Sequence, residues 1–335
     1  MMLDGVCSVS RAAGQGRSPS MSQSETRNET RSGTRTETET ATQPDCWRRA
    51  VALADDREAP WRAAMPRPGE RVAVVGCGTS WFMAHAYAVL RESAGQGETD
   101  AFAASEMPAG RSYDRVLALT RSGTTTEVLE VLARLRGTTS TVAVTADPAT
   151  PVMELADAAV VLDFADETSV VQTRFATTEL VLLRRLLGED LAGLPAQAEA
   201  ALAAPLPEGL LETEQFTFLG RGWAFGVAQE AALKMREASG AWTEAYPVME
   251  YRHGPISVTG PGRVAWWFGD RGDLPAGLEG EIARTGGRLV ALGRDPLADL
   301  VVVQRLAAAL GAARGLDPDA PRHLTRSVVL ADGRG

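Results

Sequence analysis

Two patterns of apolar residues alternate along the chain. Short β-branched runs that end in glycine are followed by longer segments whose apolar positions recur at helical spacing. RVAVVG (71–76) is the first such run; it enters the turn GCGTS, after which WFMAHAYAVLRES predicts a helix with a wide apolar face. DRVLALT (114–120), the loop RSGTT and the helix TEVLEVLARLRG, stopped at Gly137, repeat the unit. TVAVTAD (141–147) and AAVVLDF (158–164) predict two more strands, and FATTELVLLRRLLG (175–188) another helix. Ahead of them, CWRRAVALADDREAPWR (46–62) places Trp47, Val51 and Ala54 at helical spacing. LPAQAEAALAAPLPEG (194–209), rich in Ala and Pro, reads as a short helix plus a connection.

The pattern then starts again. FTFLGRG (216–222) enters a glycine turn, AFGVAQEAALKMREAS predicts a helix, and EAYPVMEYRHGPIS a loop. RVAWWF (263–268) and GRLVALG (287–293) are strands around the helix LEGEIART, and LVVVQRLAAALGAARGL is a long apolar helix before DPDAPRHLTRSVVL. Strands alternating with helices predict parallel sheets covered on both faces, an α/β fold of two doubly wound, flavodoxin-like three-layer lobes. Boundaries are expected at 1–45 for a tail, 46–200 for the first lobe and 201–335 for the second with its closing segment.

Composition agrees with two domains: 335 residues, 44% of them hydrophobic, are enough for two ordinary cores. A formal charge of -9 disfavours nucleic acid as a partner. No stretch reaches the roughly 20 apolar residues of a membrane span, and the opening residues lack a signal-peptide core. Cys7, Cys46 and Cys77 lie far apart, without a CxxC pair or neighbouring histidines; this predicts a reducing, cytoplasmic setting and no metal site. The polar run from Ser22 to Pro44 holds no large apolar side chain and predicts a disordered tail, and Met21, at its head, is an alternative start to Met1.

The candidate chemistry sits at strand-to-helix turns. GCGTS (76–80) and TRSGTTTE (120–127) aim backbone N–H groups and a helix N-terminus at whatever lies above the sheet edge, and Thr120, Ser122, Thr124 and Thr125 add hydroxyls. N-capping by Ser80 or Thr125 is the competing reading of either loop alone; two such loops on consecutive units favour an anion site. Neither loop matches a nucleotide-binding pattern, and no cofactor is called for. Glu230, Lys234 and Glu237 share one helical face, by default a solvated stripe of ion pairs. His253, one of three histidines, stands in the loop YRHGPIS, and an acid and an imidazole near an anion loop suit proton transfer on a sugar.

These segments together become recognisable. GRGWAFGVAQEAALKMREASGAWTEAYPVMEYRHGPIS, VVGCGTSWF, LTRSGTTTEVLEVL, SVVQTRFATTEL and GLDPDAPRHLTRSV resemble the SIS (sugar isomerase) family, in particular the isomerase domain of glucosamine-6-phosphate synthase. The resemblance implies substrate contacts at Thr79, Ser80, Thr120, Arg121, Ser122, Thr125, Val170 and Arg326, with Ser80, Thr120, Ser122 and Thr125 on the phosphate and hydroxyls. It implies Glu237 as the base between C1 and C2, Lys234 as a neighbouring site residue, and His253 as a ring-opening group that reaches the site from the other subunit of a homodimer. It also implies a closing C-terminal strand. Two departures matter. The tail stands where the synthase has its glutaminase domain, so amidotransfer is not expected. Arg326 stands where the family has an imine-forming lysine, and a guanidinium that stays protonated cannot be that nucleophile. The expected function is isomerisation, deamination or deglycation of an amino- or amine-substituted hexose phosphate by ring opening and enolisation. The alternative is a non-catalytic sugar-phosphate sensor; such regulators carry a helix-turn-helix, which the tail is too poor in apolar residues to build.

Overall fold

Two glycine-ended strands, Val72–Gly76 (β1) and Gln215–Gly220 (β6), sit inside two parallel sheets, each paired on both sides. A computed structural model describes residues 33–330. After helices α1 (Arg35–Ala41) and α2 (Gln43–Asp55), the chain runs through β1, α3 (Thr79–Ser93), β2 (Thr99–Ala103), β3 (Arg115–Leu119), α4 (Thr126–Leu135) and β4 (Ser140–Thr145). The short α5 (Val152–Leu155), β5 (Ala158–Val161), α6 (Arg174–Leu186) and α7 (Leu194–Ala203) lead to β6. Then come α8 (Ala224–Ser239), β7 (Trp242–Pro247), β8 (Arg263–Phe268), α9 (Leu278–Arg284), β9 (Arg288–Ala291) and α10 (Pro296–Ala313).

The first sheet has the order β2-β1-β3-β4-β5 and the second β7-β6-β8-β9, all pairs parallel. This is the flavodoxin-like order, complete in the first sheet and one strand shorter in the second. Alternate strand residues face opposite ways. Val72, Val74, Leu117 and Leu119 share one core with Phe216, Phe218 and Trp266 of the other sheet and with α3, α6, α8 and α10, so these helices form a layer common to both sheets. Ala73, Val75, Val116 and Ala118 pack on α4, and Leu219, Ala265 and Trp267 on α9. α10 is apolar and long enough by composition to cross a membrane, but it is mostly buried, as a core helix is.

The crossing of α3 and α8 places the site. A Cβ on Gly226 would lie 2.6 Å from the Phe82 carbonyl oxygen and 2.9 Å from the Ala86 nitrogen, so only glycine lets the two backbones approach this closely. At the head of α3, a Cβ on Gly76 would come within 2.7 Å of the Ser80 backbone; its absence lets the turn fold tightly against the first helical residues.

Three expectations need correction. The tail was expected to run to residue 45, yet α1 and α2 occupy 35–55; residues 1–32 lie outside the described part. Trp47, Ala50 and Ala54 of α2 enter the core, but polar contacts anchor residues 35–45, the part read as tail. The buried Glu39 carboxylate accepts from the Thr168 amide (2.6 Å) and hydroxyl (3.0 Å) and from Ser169, and Gln43 donates to Gln304 at 2.7 Å. Asp319 accepts from the Arg35 and Thr36 amides, both at 2.8 Å, which ties α1 to the C-terminal segment. Second, β2 and β7 replace stretches read without a strand; both are edge strands, paired on one side and partly exposed, so neither needs an apolar run. Third, residues 321–330 form no strand: they cross the head of α4, where the Thr126 amide donates to the Val328 carbonyl at 3.2 Å.

Candidate active site

The two glycine turns leave β1 and β3, the neighbouring strands from which the first sheet's connections run in opposite directions. Such a switch point opens a crevice at the carboxyl ends of the strands. There Ser80, Thr120, Arg121, Ser122 and Thr125 line one small cavity of about 30 Å³ together with Arg326, Gln172 and Cys77. Residues of both loops thus line the same cavity. The Thr120 hydroxyl, Gln172 Oε1 and Arg121 Nε are buried without a hydrogen-bond partner, polar atoms that a bound anion or hydroxyl would satisfy. Ser122 Oγ accepts from the Thr124 amide (3.3 Å) and hydroxyl (3.1 Å), a turn that shapes the loop ahead of α4.

Arg121 is held rather than free: its guanidinium donates to the carbonyls of Ser169 (3.1 Å) and Arg326 (2.7 Å), and burial lowers its pKa. Arg326 is clamped in turn, to Asp166 Oδ1 at 2.6 Å and the Glu167 carbonyl at 2.5 Å. Half-buried Val170 does not line the cavity; Gln172, two residues on, does. Burial pushes the Cys77 thiol up to about 11, so it stays a thiol at neutral pH.

One helix away, the stripe on α8 is no solvated surface. The side chains of Glu230 and Lys234 are 0% and 1% exposed, and that of Glu237 17%. Lys234 Nζ lies 2.5 Å from Glu237 Oε2, 3.4 Å from Glu230 Oε1 and 3.1 Å from the Thr79 hydroxyl, which donates to Glu230 at 3.3 Å. Thr79 is therefore committed to the ion pair, while Ser80, the next residue, faces the cavity. Burial, only partly offset by Lys234, raises the Glu230 carboxyl to about 8. Burial alone would lower the Lys234 pKa, but Glu230 and Glu237 outweigh it and hold the ammonium charged.

Glu237 also lines a larger cavity of about 540 Å³, walled by Leu233 and Arg236 of α8 and by Leu316, Asp317, Arg322 and Leu324 of the C-terminal segment. His253 is not brought here: exposed in the turn after β7, it lines neither cavity. Of the other two histidines, His85 packs between Trp81 and Phe225 with its Nδ1 3.2 Å from Gln229 Oε1, and exposed His323 lies beside the larger cavity's C-terminal wall. Sequence reading missed Gln172, and it missed Glu179, a lone acid inside the apolar helix α6. That isolation was the available signal.

The architecture is an α/β fold of two parallel sheets around a shared helical layer. No family model matches the chain. It is 26% identical over 305 residues to the glutamine–fructose-6-phosphate aminotransferase of Methanothermobacter thermautotrophicus, covering 78% of this chain and 52% of that one. The corresponding aminotransferase of Gloeobacter violaceus is 29% identical over 317 residues, with 78% and 52% covered. The chain thus spans about half the length of these curated relatives, and it is homologous to their isomerase (SIS) domain. Among solved structures, glucosamine-6-phosphate deaminase from Thermotoga maritima superposes with a TM-score of 0.74 at 24% identity, covering 88% of this chain and 100% of that one. Tagatose-6-phosphate ketose/aldose isomerase from Escherichia coli follows with a TM-score of 0.72 at 18% identity, over 90% and 98%. The fold is that of SIS phosphosugar isomerases, as the resemblance implied.

Proposed function

We propose that this protein is an SIS-type enzyme that isomerises, deaminates or deglycates an amino- or amine-substituted hexose phosphate. The observation that carries this reading is the Glu237 carboxylate: it is fixed at 2.5 Å by a buried ammonium, and it faces a cavity rather than bulk water. In this reading the hydroxyls of Ser80, Thr120, Ser122 and Thr125 hold the phosphate, and Glu237 takes a proton from one carbon of the open-chain sugar and returns it to the next. Arg326, clamped by Asp166, contributes charge and hydrogen bonds and forms no imine. The two SIS units divide near residue 200, and the widely spaced cysteines, of which Cys46 and Cys77 are free thiols, suit the cytoplasm.

The test combines two measurements. A thermal-shift screen with glucosamine, galactosamine, fructose and fructosamine phosphates should reveal a ligand that protects the fold by mass action. Proton NMR in deuterated buffer should then show solvent deuterium entering that sugar at C1 or C2. Protection without exchange would favour a sensor over an enzyme.

In the same reading His253 opens the sugar ring, reaching the site that holds the Glu237 of a second subunit. It is exposed in the single chain, and the resemblance of YRHGPIS to the SIS family implies a site shared across a homodimer. Mixing Glu237→Gln with His253→Ala protein should return part of the activity once subunits exchange. If exchange is demonstrated and no activity returns, the composite site is ruled out.

A further inference from the structure

The segment between β5 and α6 shapes the small cavity, and an acid from outside the cavity holds that segment. Residues 166–173 belong to no helix or strand, yet three cavity groups depend on them. Gln172 lines the cavity itself. The Ser169 carbonyl accepts from Arg121 Nη1 at 3.1 Å, and Arg326 donates to Asp166 Oδ1 at 2.6 Å and to the Glu167 carbonyl at 2.5 Å. Arg121 Nη2 also donates to the Arg326 carbonyl at 2.7 Å, so the two guanidiniums and the loop form one hydrogen-bonded unit. A shift of the loop would move both guanidiniums.

Two buried acids hold this loop. Glu167, 0% exposed, belongs to it and accepts from the Thr173 amide (2.6 Å) and hydroxyl (2.7 Å) and from the Arg174 amide (2.9 Å), which fixes the loop's shape against the head of α6. Glu39, 5% exposed, comes instead from α1, more than 120 positions away. It accepts from the Thr168 amide (2.6 Å) and hydroxyl (3.0 Å) and from the Ser169 amide (3.3 Å) and hydroxyl. These donors sit on two consecutive loop residues, and the two oxygens of a carboxylate have lone pairs for all of them, whereas an amide has one such oxygen. Packing of α1 alone calls for an apolar side chain at a buried position; the acid answers the loop's donors. The head of the same helix holds the C-terminal segment, where Asp319 accepts from the Arg35 and Thr36 amides and the Thr36 hydroxyl, each at 2.8 Å. α1 therefore ties down both segments, 166–173 and 319–326, whose Gln172 and Arg326 meet at the cavity.

We propose that Glu39 is a positioning residue for the small cavity: through Ser169 it sets the place of the Arg121 guanidinium, and through the adjoining Asp166 and Glu167 that of Arg326. With Nη1 and Nη2 of Arg121 each on a carbonyl, its Nε, buried without a partner among the described residues, is the donor left to meet an anion's oxygen. The effect on phosphate binding rests on the reading of this cavity as the phosphate site; the anchoring of the loop does not.

Glu39→Gln keeps the volume of the side chain and removes one acceptor oxygen. Hydrogen exchange of the Thr168 and Ser169 amides, followed on peptides spanning 166–173 of the full chain, should quicken by about tenfold or more. Inorganic phosphate, titrated well below the unfolding midpoint, should bind about tenfold more weakly, the worth of one hydrogen bond to a charged group. On the sugar phosphate identified by the thermal-shift screen, KM should rise likewise while kcat stays within a few-fold, because Glu237 and Lys234 stand on α8. A lower unfolding midpoint with unchanged phosphate affinity reduces Glu39 to a structural contact and overturns the positioning role. Unchanged exchange overturns the anchoring. If the wild type binds neither inorganic phosphate nor any of the sugar phosphates, the phosphate reading fails and the affinity part falls with it, while exchange still decides the anchoring. If Glu39→Gln does not fold, Ser169→Ala takes its place: it removes one hydroxyl from Glu39 and leaves both loop amides, and unchanged exchange and affinity there contradict the proposal.

Discussion

Glu237→Gln is expected to lose about 10²- to 10⁴-fold in turnover while sugar-phosphate binding is nearly unchanged, the range general-base catalysis contributes. Glutamine keeps the shape of the side chain and can still accept a hydrogen bond from Lys234, which lies 2.5 Å from the carboxylate in the native protein. What it cannot do is take a proton. The small cavity lined by Ser80, Thr120, Ser122 and Thr125 belongs to other elements, the heads of α3 and α4, so the substitution leaves it in place. Kinetics on the sugar identified by thermal shift, with binding measured separately by titration, checks the expectation. A Gln variant with wild-type turnover would remove Glu237 from the chemistry, and with it the proposed enolisation.

Lys234→Met is expected to destabilise the fold by about 3–5 kcal/mol near pH 8, the cost of removing one partner from a buried ion pair. Glu230, Glu237 and the Thr79 hydroxyl would lose their common cation. The loss should shrink as pH falls toward 5. Glu230 ionises at about 8 in the folded protein against an ordinary 4.5, so between those values the folded state holds a proton that the unfolded state has released. Stability from this group is therefore present at low pH and declines as pH rises through the window. Without Lys234 the carboxyl would climb further, and a neutral Glu230 would cost the variant least in acid. Urea denaturation of both proteins at pH 5 and pH 8 measures the difference; an equal loss at both values would show that charge on the carboxylates is not the cause.

Much of the fold was legible because burial on both faces leaves a plain mark. β1, β3, β4, β6 and β8 are sandwiched between helical layers, so their runs are largely apolar and were found to within one or two residues. The edge strands β2 and β7 carry Thr, Asp, Glu and Pro because they pair on one side only, and no pattern announced them. α1 escaped for a related reason: it is held by Glu39 and Thr36 through hydrogen bonds to Ser169, Thr168 and Asp319, residues more than 120 positions away. Periodicity records apolar burial, and it is blind to a polar anchor.

By itself the sequence determined the strand-turn-helix units, the two hydroxyl-bearing loops and the shared face of Glu230, Lys234 and Glu237, because each depends on neighbours a few residues apart. Only the tertiary structure decided what those groups are. The close crossing of α3 and α8 at Gly226 turned a stripe that reads as a surface ion-pair ladder into a buried cluster, and it brought Thr79 onto Lys234 across 155 positions. It also enclosed Glu179 and raised Glu230, since a carboxyl's charge state follows the dielectric and the partners around it, which no local pattern of residues specifies.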